Sequence, residues 1–208
     1  MQEQEQAAPP LSLPSFLGQC VQAGLVAQPG IYTPVLLEPA LRPEWIFDSL
    51  FVAESSREAV AAARKVAGGQ RLPGGGLVLQ AGPGQGKSHL LAAILAERGD
   101  ERTRFIDVAD WDAELERARW FCARAELRQA IGDCDLLLLD DLDACRRDAD
   151  LQQEVLAVCK RLAARDAMVV ATTGTPLDEM EELGDRLHSR LAAGVTHLLG
   201  PTGHQERL

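Results

Sequence analysis

The stretch from Leu77 to Ser88, LVLQAGPGQGKS, decides the fold. The run LVLQ is typical of a short buried β-strand, and AGPGQGKS matches the phosphate-binding loop pattern with Ala81 in place of the usual first glycine. Glycines let the backbone curl so that successive N–H groups point at phosphate oxygens, and the positive end of the following helix adds to that attraction. Because an apolar helical pattern follows, an ordinary glycine-rich turn is the weaker interpretation.

The loop residues predicted to bind the nucleotide are Gly82, Gly84, Gln85, Gly86, Lys87 and Ser88. Lys87 would bring a compact, mobile charge to the β- and γ-phosphates, where a planar arginine fork fits poorly. The lysine is informative because the chain has 18 arginines and only three lysines. The Ser88 hydroxyl suits Mg²⁺, so the loop predicts ATP or ADP with Mg²⁺ as cofactors.

A second apolar run, DLLLLDD at residues 135–141, is closed by two acids and predicts a central strand. Asp140 and Asp141 would then lie at the carboxyl end of that strand, where open α/β sheets bind ligands. We expect Asp140 to orient Mg²⁺, directly or through water, and Asp141 to polarise the attacking water. The alternative is a pair of helix-capping acids. Asp143 is predicted to be a solvated turn residue rather than a third catalytic acid.

Two threonines, Thr172 and Thr173, end the next apolar run, AMVVATT. Their hydroxyls could hold the water against the γ-phosphate, the role called sensor 1, and we assign that role to Thr173. Threonine at a strand end is also common for packing reasons alone, and both interpretations stay open.

Strand-like runs alternate with helical patterns along the rest of the chain. The expected elements include a helix capped by Ser55 and stopped at Gly68, a strand RFIDVA at residues 104–109, and a long helical stretch from about Trp111 to Ala130. Strands that alternate with helices of about ten or more residues favour a parallel sheet covered on both faces. The sequence therefore predicts a three-layer α/β P-loop domain.

Residues 1–43 are predicted to be a leader or linker, and residues 44–208 the nucleotide-binding domain. Pro34, Pro39 and Pro43 break any long helix in the leader, although a short helix can form at about residues 15–27. Two interpretations are open for this segment: an arm that docks a partner, or a weakly packed extension.

Composition excludes several classes of protein. The net charge of −10 disfavours tight, unaided binding to nucleic acid, so at most weak binding is expected. Arginines between residues 117 and 128 could line a groove for nucleic acid, but the acids in that stretch favour a solvated helix. Five scattered cysteines without a CxxC pair argue against disulfides and zinc. The chain has no 18-residue apolar run and no signal-like start, so we expect no membrane contact and a cytoplasmic protein.

Several further segments resemble one known group. WIFDSLFVAESSR at residues 45–57 is similar to the segment that opens the AAA+ module of the bacterial replication initiator DnaA and its shorter Hda-type relatives. DCDLLLLDDLDAC and VVATTGTPLDEM resemble the Walker B and sensor 1 regions of that family. Most specific is LGDRLHSRL at residues 183–191, which resembles box VII, a D-R-L-x-S-R signature. The resemblance covers residues 45–208.

The resemblance implies an AAA+ fold with five parallel strands in the order 5-1-4-3-2. It implies that residues 45–57 form part of the adenine pocket, and the nucleotide-binding candidates there are Leu50, Phe51 and Val52, with His89 after the phosphate loop. It also implies that Arg190, the last arginine of box VII, reaches the ATP of a neighbouring subunit. An ordinary surface arginine paired with Glu182 or Asp185 is the alternative.

The sequence departs from the family pattern in two places. DnaA continues into a helical lid and a DNA-binding helix-turn-helix domain, whereas this chain stops at Leu208, near where the lid should begin, so we expect the lid to be absent or truncated. Thr173 also stands where the family usually has an acid.

Together these features predict an ATP-binding, slowly hydrolysing factor of the DnaA/Hda type. It would act as a nucleotide-dependent assembly switch in replication initiation or its regulation. Arg190 would contact a second copy of the chain or a related AAA+ protein, and replication proteins are further expected partners. The alternatives are a helicase-loader or transposition-type ATPase, and a nucleotide-dependent interaction module that does not hydrolyse ATP.

Overall fold

The sheet is built from five parallel strands. The structure is a computed structural model that describes residues 32–36 and 41–200. Its strands are β1 (Gly76–Gln80), β2 (Thr103–Asp107), β3 (Leu136–Asp140), β4 (Met168–Thr173) and β5 (Val195–Leu198). Their order is β2-β3-β4-β1-β5, which confirms the predicted order and the α/β fold class.

The register of the sheet brings the polar strand ends to one edge. Gln80 at the end of β1 pairs with Thr173 on β4 and with Leu198 on β5. On the other side of β4, Asp140 of β3 pairs with Asp107 of β2. Because all strands run in the same direction, the phosphate loop and the acids lie along the carboxyl edge.

Helices separate the strands and cover both faces of the sheet. They are α1 (Arg57–Ala67), α2 (Lys87–Arg98), α3 (Val108–Trp120), α4 (Arg124–Gly132), α5 (Ala149–Ala164) and α6 (Asp185–Ala192). β3 and β4 are buried along their whole length, as central strands of a parallel sheet should be. None of the helices in the described part of the chain is long and apolar enough to span a membrane.

The long helical stretch predicted from about Trp111 to Ala130 is helical but interrupted. The chain forms two helices, because α3 ends at Trp120 and the backbone of Cys122 turns into the left-handed region at φ 55° before α4 begins. The amide of Ala123 donates to the carbonyl of Ala118 across this turn. The sequence carries no glycine or proline there, so the break left no signal in the pattern.

Two element boundaries also differ from the prediction. Ser55 does not cap the first helix, since α1 starts at Arg57 and the hydroxyl of the preceding Ser56 accepts from the amide of Gly200. The strand predicted through residue 109 ends at Asp107, whose carboxylate accepts from the Ala109 amide and so caps α3.

Part of the predicted leader packs on the domain. The Val35 amide donates to the buried Glu114 carboxylate on α3, and a small cleft there is lined by Val35, Leu36, Ile106 and Trp111. The short helix predicted at about residues 15–27 lies outside the described residues.

Candidate nucleotide site

The phosphate loop joins the end of β1 to the start of α2. Gly84 and Gly86 adopt positive φ values of 72° and 91°, a conformation that glycine takes without strain. A β-carbon on Gly84 would meet nothing within 4 Å, so the loop is open on that side. The α2 helix begins at Lys87, which places its amino end beside the loop, as predicted.

Two side chains brace the loop from within. The Lys87 ammonium donates to the Ala81 carbonyl at 2.8 Å and to the Gly82 carbonyl at 3.3 Å. The Gly82 amide donates to Oε1 of Gln85 at 2.9 Å. The half-buried Lys87 is therefore held next to the curled backbone, where a phosphate would meet its charge.

The two acids at the end of β3 occupy different surroundings. Asp140 is 7% exposed, and its Oδ1 accepts from the Thr172 hydroxyl at 2.5 Å and from the Asp141 amide at 3.2 Å. Asp141 is exposed and adopts a left-handed backbone with φ 55°. The Asp141 amide also donates to the Thr172 hydroxyl at 3.0 Å. Asp140 is thus held rigidly, and the Asp141 side chain is turned toward solvent at the sheet edge.

The Asp141 carboxyl has an unusual proton affinity. Its pKa is raised by partial burial, and further by the neighbouring carboxylates Asp143, Asp140 and Asp107, while Lys87 lowers it. A raised pKa makes a carboxylate a better acceptor for a proton from water. The Lys87 charge therefore acts on the Asp141 carboxyl across the carboxyl edge of the sheet.

The predicted solvated position of Asp143 is wrong. Asp143 is half-buried and accepts hydrogen bonds from the Thr173 hydroxyl and the amides of Gly174 and Thr175. Burial raises the pKa of Asp143, but these hydrogen bonds outweigh it and leave the pKa below its usual value. Asp143 therefore fastens the loop after β4 to the short 3-10 turn at Leu142–Cys145.

The hydroxyls of Thr172 and Thr173 bind two different acids. Both threonines are fully buried, and because strand side chains alternate, Thr172 contacts Asp140 while Thr173 contacts Asp143 and the Thr175 carbonyl. The threonine next to the predicted metal-orienting acid is therefore Thr172, which sequence analysis did not assign to the site. The sensor 1 role of Thr173 stays a prediction.

The segment at residues 45–57 reaches the phosphate loop. A β-carbon on Gly86 would lie 3.5 Å from Cδ1 of Leu50, so the Leu50 side chain packs against the loop. The His89 ring stacks on Trp45 with centroids 5.8 Å apart, and its Nε2 lies 3.0 Å from the Ile46 carbonyl. His89 therefore joins α2 to this segment. Close by in sequence, Phe51 and Val52 remain 48% and 37% exposed.

Arg190 lies at the opposite edge of the sheet. Its guanidinium donates to the carbonyl of Gly74, two residues before β1, at 3.3 Å. The phosphate loop follows the other end of β1, which is about 15 Å away for a five-residue strand. Arg190 does not pair with Glu182, which binds Arg146 and Arg147 instead. The arginine is thus too far from the phosphate loop of its own chain to contact a nucleotide there.

The arginines between residues 117 and 128 are all paired with acids. Arg117 binds Glu114 and Arg119 binds Glu116 on the same helix. Arg119 and Arg124 also share Asp150, and Arg128 forms a two-bond pair with Glu154. This arrangement favours the predicted solvated helix over a groove that binds nucleic acid.

Three of the cysteines, Cys134, Cys145 and Cys159, are buried. Burial raises the pKa of Cys134 to about 11 and those of Cys145 and Cys159 to about 12, so none is a reactive thiolate at neutral pH. No cluster of three potential metal-ligating side chains of the His, Cys, Asp or Glu type occurs among the described residues.

The phosphate loop, the paired acids and the strand order define a P-loop module of the AAA+ class. The family model of the bacterial DnaA ATPase domain matches residues 41–197. The chromosomal replication initiator protein DnaA of Burkholderia cenocepacia (strain HI2424) is 30% identical over 165 residues, which cover 77% of this chain and 31% of that protein.

Solved structures agree with this match. Domain III of DnaA from Thermotoga maritima superposes with a TM-score of 0.74 at 26% identity, covering 81% of this chain and 72% of that chain. The DnaC helicase loader shares the fold with a TM-score of 0.62 at 20% identity, covering 76% of this chain and 98% of that chain.

The chain belongs to the family of bacterial DnaA ATPase domains. This confirms the resemblance drawn from box VII and the segments before it. The chain spans about a third of the length of the DnaA protein it matches.

Proposed function

We propose that this protein binds ATP with Mg²⁺, hydrolyses it slowly, and uses the bound nucleotide as an assembly switch in replication initiation or its regulation. The observation that carries the proposal is the division of the site between two edges of one sheet. Lys87 and Asp141 lie together at the carboxyl edge, whereas Arg190 lies at the amino edge. A complete site then requires two copies of the chain, or one copy and a related AAA+ protein.

The chain's own residues fit a magnesium nucleotide. The loop amides and Lys87 would bind the phosphates, with Ser88 and Asp140 nearest to the metal. Both hydrogen bonds recorded for the Asp140 carboxylate go to Oδ1, which leaves Oδ2 for Mg²⁺ or a water on it. When bound, Mg²⁺ would neutralise charge on the β- and γ-phosphates.

Asp141 would orient the attacking water. It is exposed, its pKa is raised, and its backbone is held in place by Thr172 and Asp140. Leu50, Phe51 and Val52, with His89, would line the adenine end of the site, and Thr173 the side near the γ-phosphate.

Arg190 would complete the site of a neighbouring subunit. A guanidinium delivered in trans stabilises the negative charge that builds on the γ-phosphate during transfer. Glu182, which precedes that helix, binds Arg146 and Arg147, and the Arg190 guanidinium donates to the Gly74 carbonyl. Because Arg190 would contact the γ-phosphate of the neighbour's ATP, both the contact between subunits and the hydrolysis of ATP would depend on that phosphate.

The switch is tested by measuring mass in solution with each nucleotide. We expect light scattering after gel filtration to show larger species with ATP or a non-hydrolysable analogue than with ADP. A distribution that is the same for both nucleotides at every concentration would overturn the switch. We also expect weak binding to nucleic acid and a cytoplasmic location.

A helicase-loader function is the second candidate. It is supported by the fold shared with the DnaC helicase loader, whose whole chain is almost covered by the match. Retention of a replicative helicase on immobilised protein in ATP would favour the loader. An ATP-dependent complex with a DnaA-type protein would favour a regulator of replication initiation. If the protein does not hydrolyse ATP at any concentration, a nucleotide-dependent interaction module is indicated.

A further inference from the structure

We infer that Gln152 is a positioning residue for Arg190, an inference that rests on the proposed function of that arginine in trans. Gln152 lies in the first turn of α5 and is 8% exposed. Its side chain connects the turn that follows Asp141 to the first residue before α6, the helix that carries Arg190.

Four hydrogen bonds converge on the Gln152 amide. The two N–H groups of Nε2 are shared among three carbonyls, those of Cys145 at 2.9 Å, Arg146 at 2.7 Å and Glu182 at 3.0 Å. Oε1 accepts from the amide of Gly184 at 2.8 Å. The carbonyl partners require a donor and the Gly184 amide requires an acceptor, so only an amide side chain satisfies both ends.

The helix that bears Arg190 has few other anchors. α6 has eight residues, about 12 Å in length, and only Leu187 and Leu191 are buried. Its carboxyl end is held by the Arg190 bond to Gly74 and by the close approach of Gly194 to Gly76, where a β-carbon would lie 2.7 Å from the Gly76 carbonyl oxygen. The amino end is held by Gln152, by the buried Leu183 that precedes the helix, and by ion pairs at the surface.

The ion pair between Arg146 and Glu182 reinforces the same end, but it is the weaker attachment. Both side chains are about one third exposed, and exposed pairs contribute little. The buried amide is the stronger one because removing it takes a partner from the Gly184 amide and from the carbonyls of Arg146 and Glu182, whereas the Cys145 carbonyl still accepts from the Asp148 amide. Loss of Gln152 would free the amino end of α6, so the helix could tilt about the Gly194–Gly76 contact and turn the direction in which the Arg190 side chain leaves it.

The Asp141 side of the site has independent support. The Asp141 backbone is held by Thr172 and Asp140, neither of which contacts Gln152. We therefore expect a variant at Gln152 to damage the arginine that a subunit donates while sparing the nucleotide site that it presents.

The test mixes subunits that each lack one half of the site. Arg190→Ala subunits keep the nucleotide site and lack the arginine, and Lys87→Ala subunits keep the arginine and lack ATP. Mixing the two should restore hydrolysis. Donors that also carry Gln152→Met, which keeps the length of the side chain, should restore at least about tenfold less, since small misplacements are costly in rate. Gln153→Met, at the exposed neighbouring position, is the matched control and should restore fully.

The reverse mixture separates positioning from general damage. Arg190→Ala subunits with Gln152→Met should still be activated by Lys87→Ala donors, and their ATP affinity should match that of the parent. The inference would be overturned if Gln152→Met lowered the restored hydrolysis equally in the subunit that supplies Arg190 and in the subunit that binds ATP. Undiminished rescue by the Gln152→Met donor would also overturn it. No rescue by any donor would overturn the proposed function and the inference together.

A second variant covers a failure of Gln152→Met to fold. Gln152→Glu is isosteric and keeps the acceptor for Gly184 but loses the donors to the three carbonyls. Far-ultraviolet circular dichroism selects the folded variant. Gln152→Glu should again weaken the subunit that supplies Arg190 and spare the subunit that binds ATP. Equal effects on the two subunits would overturn the inference.

Discussion

Replacing Asp143 by asparagine should destabilise the domain and leave the nucleotide-binding loop intact. The Asp143 carboxylate accepts from one hydroxyl and two amides of the loop after β4. Hydrogen bonds to a charged acceptor contribute about 1.5–3 kcal/mol each, but water competes at this half-buried position. An asparagine keeps one acceptor oxygen and turns an N–H₂ group toward a backbone amide.

We expect a loss of about 2–3 kcal/mol in the free energy of unfolding at pH 7. For a domain of this size that corresponds to about 4–12 °C in the melting temperature. Urea unfolding followed by circular dichroism measures it directly.

The dependence on pH follows from the sign of the shift. The Asp143 pKa is lowered in the folded protein, so its contribution to stability is present above the unfolded pKa of about 4 and is lost as the pH falls through the folded pKa. Wild type and Asp143→Asn should therefore differ equally at pH 7 and pH 5 and converge in stronger acid. Asp141, whose pKa is raised, is the control, since Asp141→Asn should not destabilise at pH 7. An Asp143→Asn protein as stable as wild type would refute the reasoning.

Three other predictions address nucleotide and DNA. Lys87→Ala should weaken ATP affinity at least about tenfold in calorimetry, because charged contacts to phosphate are lost, and unchanged affinity would contradict the phosphate-loop assignment. Asp141→Asn should bind ATP almost normally and hydrolyse it at least about tenfold more slowly, and equal rates would exclude Asp141 from orienting water. Duplex DNA should bind the wild-type chain with a dissociation constant above about 1 µM at physiological salt, because Arg119, Arg124 and Arg128 are paired with acids. Fluorescence anisotropy measures this constant, and tighter binding without ATP would disprove the prediction.

Features with strong local chemistry were predictable from the sequence. The glycines and Lys87 of the phosphate loop, and the apolar run that ends at Asp140, each fix a strand and the turn after it. The strand order came from the resemblance to the DnaA family and not from the local pattern, because parallel pairing joins residues that are far apart in the chain.

Tertiary contacts account for what the sequence could not show. The α3–α4 break at Cys122 depends on how the two helices pack, and the pairing of Asp143 with Thr173 joins residues 30 positions apart. Similarly, nothing in the local pattern distinguishes the two glutamines at 152 and 153, yet the first is buried with four hydrogen bonds and the second is exposed.

The central claim is that Arg190 acts between subunits, and the dependence of ATP hydrolysis on protein concentration tests it most directly. Rate per molecule should rise with concentration for the wild type as neighbours supply the arginine that lies at the far edge of each sheet. Arg190→Ala should bind ATP with wild-type affinity, melt at a similar temperature and show a low rate that does not change with concentration. A wild-type rate per molecule that stays constant across the range, and is matched by Arg190→Ala, would contradict the account.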